Sequence, residues 1–163
     1  MRIAAIALTG AIAAVSVLAV NHLRVNAAAS AATEPHDFRA MGYYRMGVIP
    51  GDIVFDMRDI DAAADFDDVM SAFLDFAEQL QEREISRVHI AHRGRTRFLL
   101  DGEVFGEIGS AGGWYSDREL ADRVLRHVRH ADGSPFEAGP SDFDRAFAFF
   151  QGWYIQDIQG GGR

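Results

Sequence analysis

The chain has 163 residues, 48% of them hydrophobic, and a formal net charge of −8. All 24 acidic residues follow residue 33, where only Arg2 and Arg24 of the basic ones precede it, so residues 33–163 carry −10 with histidines neutral; such a charge repels phosphate backbones and anionic lipid heads and excludes nucleic acid as a partner. Cysteine is absent, so stability must come from the core alone, and the 131 residues behind the leader are enough for one domain with one core.

In chain order, Met1-Arg2 opens onto an apolar run from Ile3 to Val20, broken only by Thr9, Gly10 and Ser16, and an alanine-rich stretch follows over 26–32. A basic start, an apolar middle and a small-residue end are the layout of a secretory signal. The run of 18 residues also reaches the lower limit of a spanning helix, about 17–25 residues. Small residues permit cleavage after Ala27, Ala29, Ala31 or Ala32, whereas His22 and Arg24 directly behind the run are what a retained anchor shows. Arg2 before the run and Arg24 after it keep the N-terminus inside in either case. Residues 1–32 are therefore expected to be a signal peptide or an N-terminal membrane anchor. Cleavage is favoured, giving a periplasmic or secreted domain; the alternative is a single-pass inner-membrane anchor with the domain outside the cytoplasm.

Residues 33–51 contain Pro35, Pro50 and several glycines and read as a linker or irregular segment. Asp52–Met57 reads as a short strand, with Ile53 and Phe55 on one face and Val54 and Met57 on or near the other. Between Asp65 and Glu84, apolar residues from Phe66 to Leu80 recur at three- and four-residue spacing, which predicts an amphipathic helix. Ser86–Arg93 and Arg95–Leu100 alternate as a hairpin about Arg93-Gly94. Glu103–Ile108 fits a helical turn as well as a third strand, and Gly109–Gly113 reads as loop. Ser116-Asp117-Arg118-Glu119 is a capping box that opens a helix with Gly133 as its stop. Ser141 opens a last helix with Phe143, Ala146, Phe147, Phe150 and Tyr154 on one face, Phe149 and Trp153 beside them, and Gly152 as a bend or end. Residues 159–163 form a flexible tail.

Few residues point to chemistry. Arg93, Arg95 and Arg97 would share a strand face and grip a carboxylate or phosphate bidentately; their plainer role is a polar hairpin face. Trp114 and Tyr115, on a glycine-rich loop, are the residue types that anchor interfaces and ligand pockets, against core packing for Trp114. His127 and His130, three apart on the helix opened at Ser116, are weak candidates to chelate a metal ion, but Arg123, Arg126 and Arg129 around them repel cations. His89 and His92 would point to opposite strand faces. The aspartates at 56, 59, 61, 65, 67 and 68 lack the spacing of a calcium loop, and the glycines before Trp114 do not frame a serine nucleophile. No cofactor is expected.

The stretch from His92 to Gly109, HRGRTRFLLDGEVFGEIG, resembles small uncharacterised exported proteins of bacteria, as do the Asp132-Gly133 turn and the close Phe149-Phe150-Gln151-Gly152-Trp153-Tyr154. The resemblance covers about half the domain, rests on packing and turn residues, and implies no activity.

The sequence thus predicts an α+β domain over 52–158: a small antiparallel sheet built on the 86–100 hairpin, packed against three helices, behind an N-terminal apolar helix. The expected function is a non-catalytic envelope domain that binds a protein or small ligand and touches the membrane only through its N-terminal segment. The alternative is a small periplasmic hydrolase or metal-dependent enzyme using these histidines and arginines.

Overall fold

The structure, a computed structural model, describes residues 22–155 except 37, 48, 50, 61–63, 112, 138 and 140. Helix α1 covers residues 22–33. Strands β1 (Phe38–Tyr44) and β2 (Asp52–Ile60) follow, then helix α2 (Phe66–Gln79), strands β3 (Arg87–His92) and β4 (Arg95–Asp101), and helices α3 (Gly102–Ser110) and α4 (Asp117–His127). The two-residue strand β5 (Arg129–His130) precedes helix α5 (Asp142–Phe150), which runs on as a π-helical turn, Gln151–Ile155. The class is α+β, with one sheet in the order β1-β2-β3-β4-β5. It is larger than the hairpin-based sheet expected, and among the described residues five helices accompany it, where three were expected behind an N-terminal apolar helix. The β2–β3 pair is parallel and the others antiparallel. A parallel neighbour needs a long crossover, and α2 is that crossover.

The apolar core lies between the helices and one face of the sheet. Ile53, Phe55 and Met57 of β2, Val88 and Ile90 of β3, and Phe98 and Leu100 of β4 supply the sheet side. Met57 thus shares a face with Ile53 and Phe55, as strict two-residue alternation requires, and not with Val54 as the sequence suggested. Helix α2 contributes Phe73 and Phe76, which pack edge-on and tilted against Phe55. Asp65 caps it in a reciprocal box with Asp68. The helix ends at Gln79, short of Glu84: no basic residue stands in its last turn to meet the dipole, and the chain must reverse to enter β3.

Residues 33–51 are not a linker, because β1 lies in them and pairs along the edge of β2. Residues 22–32, assigned to the leader, form most of α1, which buries Val25, Ala28, Ala29 and Ala32 in the core. The approach is close: a Cβ on Gly42 of β1 would stand nearer to the Val25 carbonyl oxygen than the 3.0 Å that real Cβ atoms respect. The apolar run 3–20 and the tail 159–163 lie outside the described residues.

Local signals resolve the rest. Arg93 (φ 48°) and Gly94 (φ 81°) both take the left-handed region that a two-residue hairpin turn requires. The ambiguous segment after Asp101 is α3, capped by the Asp101 carboxylate on the Glu103 amide at 3.0 Å. Helix α3 includes Gly109 and Ser110, which had read as loop; a side chain at Gly109 would strike the Ala77 carbonyl, so the glycine permits α3 to lie against α2. The Ser116 box opens α4 as expected. That helix stops at His127, six residues before Gly133, because Val128 turns extended and buried and leads the chain onto the β4 edge. In α5 and its π-helical turn the buried pair is Phe149 and Trp153, while Phe147 is half exposed. The expected apolar face is therefore rotated; the side chains of Phe143 and Tyr154 lie outside the described ones.

Candidate functional site

Two polar clusters sit on the sheet face away from the helices. Asp56 is fully buried yet well satisfied: it accepts from Tyr43 Oη at 2.8 Å and from the Gly94 amide at 3.0 Å, and pairs with Arg58 at 2.6 Å. It ties β1, β2 and the β3–β4 turn together. Burial, with the Asp56 hydrogen bond and charge behind it, pushes the Tyr43 phenol up to about 12. Nearby, the buried His89 has Thr96 Oγ1 at 3.4 Å from Nδ1 and Asp52 at 3.6 Å from Nε2. Burial, then the Arg45 charge, lowers its pKa, while Asp52 pulls the other way. The buried Asp56 and His89 thus tie neighbouring strands of the sheet together.

The arginines singled out from the sequence do not form one row. Arg93 sits in the turn, its Nε donating to the Arg58 carbonyl at 3.3 Å. Arg95 pairs across from His92, and Arg97 is the extra residue of a bulge between Thr96 and Phe98. A bulge resets alternation, which is why spacing alone misjudged the row. His127 and His130 are separated by the end of α4. The first donates Nδ1–H to the Arg123 carbonyl at 2.8 Å, and the second packs its ring on Phe98 and Phe136. His89 lies on the open sheet face, whereas His92 stands opposite Met57 in register. Among the described residues, no three histidines or carboxylates are placed to hold a metal ion.

Trp114 and Tyr115 are 86% and 55% exposed. Their loop leads into α4, and the start of α4 walls a groove of about 740 Å³ between α2, α4 and α5. Its floor is apolar: Phe66 and Met70 from α2, Leu125 from α4, and Phe147 and Phe150 from α5. Phe66 and Phe150 meet edge-to-face at 6.2 Å. The small side chains of Ala121 and Ala146 leave the space open between the facing helices. Phe147 remains 51% exposed there. The rim is acidic, with five aspartates (Asp65, Asp67, Asp117, Asp122 and Asp142) against one arginine, Arg118. Arg145 pairs with Asp122 and Asp142, and Arg126 with Asp122. None of the five ligand-binding residues proposed from the sequence lines this groove; Trp114 and Tyr115 precede its wall by a few residues.

Fold and groove together define an α+β domain with a helix-walled apolar cleft on one side of its sheet. No protein-family model matches the chain, and comparison with curated proteins and with solved structures finds no match either.

Proposed function

We propose that this chain is a non-catalytic binding domain, exported and held at the outer face of the cytoplasmic membrane by its N-terminal apolar run, that receives a segment of another protein in the groove between α2, α4 and α5. The groove carries this reading. An aromatic ring half exposed on an apolar floor loses free energy in water and regains it under a partner, and such patches mark interaction sites. Three helices around an open cleft suit the helix-in-groove mode of recognition. Trp114 and Tyr115 extend the exposed aromatic surface toward the same end of α4 and supply the kind of anchor that dominates interface energetics.

Retention of the leader is supported by α1. Each cleavage point after Ala27, Ala29, Ala31 or Ala32 would remove Val25, whose side chain is fully buried. Burying a valine contributes about 1.5–3 kcal/mol, so cleavage there would weaken the domain it releases. The enzyme alternative needed the histidines to converge; His89, His92, His127 and His130 occupy four separate places, and none lines the groove.

The test is affinity capture from solubilised envelope with the full-length chain tagged at its C-terminus, beside a Phe147→Asp variant. The expected result is a partner held by the wild-type chain and lost from the variant, and an intact mass that includes the apolar run 3–20. Equal recovery with both chains would remove the groove from the function. A mass beginning after residue 20 would overturn retention.

A further inference from the structure

The groove's charge says what kind of segment it takes. Each helix start contributes about half a positive charge, and α2 and α4 each bring two first-turn carboxylates, Asp67 with Asp68 and Asp117 with Glu119. The acids therefore outweigh the dipoles, and the rim is negative. Asp122 and Asp142 are held by arginines of the same chain, whereas among the described residues Asp67 and Asp117 have no cationic partner. Both line the groove, one from α2 and one from α4, and Ser71 of α2 donates its hydroxyl to Asp117 at 3.5 Å. We infer that the groove receives a cationic amphipathic helix of a partner protein, its apolar stripe on Phe147 and Phe150 and its lysines or arginines over Asp67 and Asp117. This rests on the groove being a docking site.

Charge complementarity separates this occupant from the others. The chain's own apolar run, 3–20, carries no charge and would leave both aspartates covered and unpaired. An acidic helix would set like charges together, which costs affinity and slows encounter. A cationic one is also steered by the net charge of the whole acidic domain. The half-exposed ring of Phe147 marks where an apolar stripe would rest.

The experiment uses the full-length chain with the photo-reactive residue p-benzoylphenylalanine in place of Phe147 or, as an exposed control, of Met46. Three synthetic 18-residue helical peptides serve as probes: leucine/lysine amphipathic, the same with glutamate for lysine, and the same with serine for leucine. The leucine/lysine peptide is expected to cross-link at position 147 about fivefold more than either other peptide, the scale set by two exposed charge pairs, and far more than at position 46. Asp67→Asn with Asp117→Asn should remove that excess while the thermal unfolding midpoint falls by only a few degrees, the loss expected when two first-turn carboxylates are neutralised. Equal labelling by the lysine and glutamate peptides at 147, above that at 46, would overturn the cationic occupant and leave the docking site standing. Equal labelling by the serine/lysine peptide would overturn the amphipathic requirement. No excess at 147 over 46 for any peptide would overturn the docking site itself.

Discussion

Gly42 in β1 faces the carbonyl of Val25 in α1 with no room for a side chain between them. The contact joins a segment that reads as leader to the edge strand of the domain. Gly42→Ala is expected to push α1 away and to cost about 1–3 kcal/mol, the usual range for overpacking. A chain lacking residues 1–33 should lose more than one lacking 1–21, because it also loses the burial of Val25 and the three alanines. Urea unfolding of the three chains measures this; equal stability of the two truncations would show that α1 contributes nothing.

Tyr43 and Asp56 set an alkaline limit. Folded Tyr43 keeps its proton up to about 12, while the unfolded phenol releases it near 10.0. Between those values the unfolded state binds fewer protons, so stability falls as pH rises from 10.0 to 12. Tyr43→Phe should remove a step near pH 12 from the phenolate absorbance titration and flatten the stability loss over that interval. Asp56→Ala should destabilise at all pH values by about 1–3 kcal/mol, since it leaves the Gly94 amide and the Arg58 guanidinium without their acceptor.

His89 acts at the acid end. Its pKa is lowered from the ordinary 6.5 by burial and by Arg45. Its contribution is fully present above 6.5; as pH falls below that value the unfolded imidazole takes a proton that the folded one refuses, and stability declines. The urea midpoint should therefore drop between neutral pH and about pH 5. In His89→Leu the drop should be smaller, and an unchanged drop would place the acid sensitivity elsewhere.

The two tryptophans should behave oppositely. Trp153 is buried and donates its Nε1–H to the Ala91 carbonyl at 2.9 Å, whereas Trp114 stands in solvent. Trp114→Phe is expected to leave a blue-shifted, quencher-resistant emission and to change stability by less than about 0.5 kcal/mol. Trp153→Ala should cost about 3–5 kcal/mol. Fluorescence emission with acrylamide quenching, followed by denaturant titration, reads both.

Much of the secondary structure is legible in the chain because its causes are local. The Ser116 box, the Arg93-Gly94 turn and the α2 periodicity each depend on residues within a few positions of one another. The errors arise where distant contacts decide. Residues 38–44 carry glycine and mixed polarity and become a strand only because β2 offers a free edge. Val128 leaves the helix because β4 offers another. Trp114 and Tyr115, read as anchors on a glycine loop with core packing open for Trp114, lie beside the groove and not in it, while Phe66, Asp67, Asp117 and Phe147, which line it, read as ordinary helix-start and core residues.

By itself the sequence determined the acidic, cysteine-free composition, the α+β class and the positions of most helix starts, because capping and periodicity act through neighbouring backbone groups. The tertiary structure alone decided that residues 22–33 belong to the core and that the three arginines of the hairpin part company at a bulge. It alone also made the groove: helix starts at residues 66, 117 and 142 are far apart along the chain, and only packing on a common sheet brings their aspartates and phenylalanines to one place.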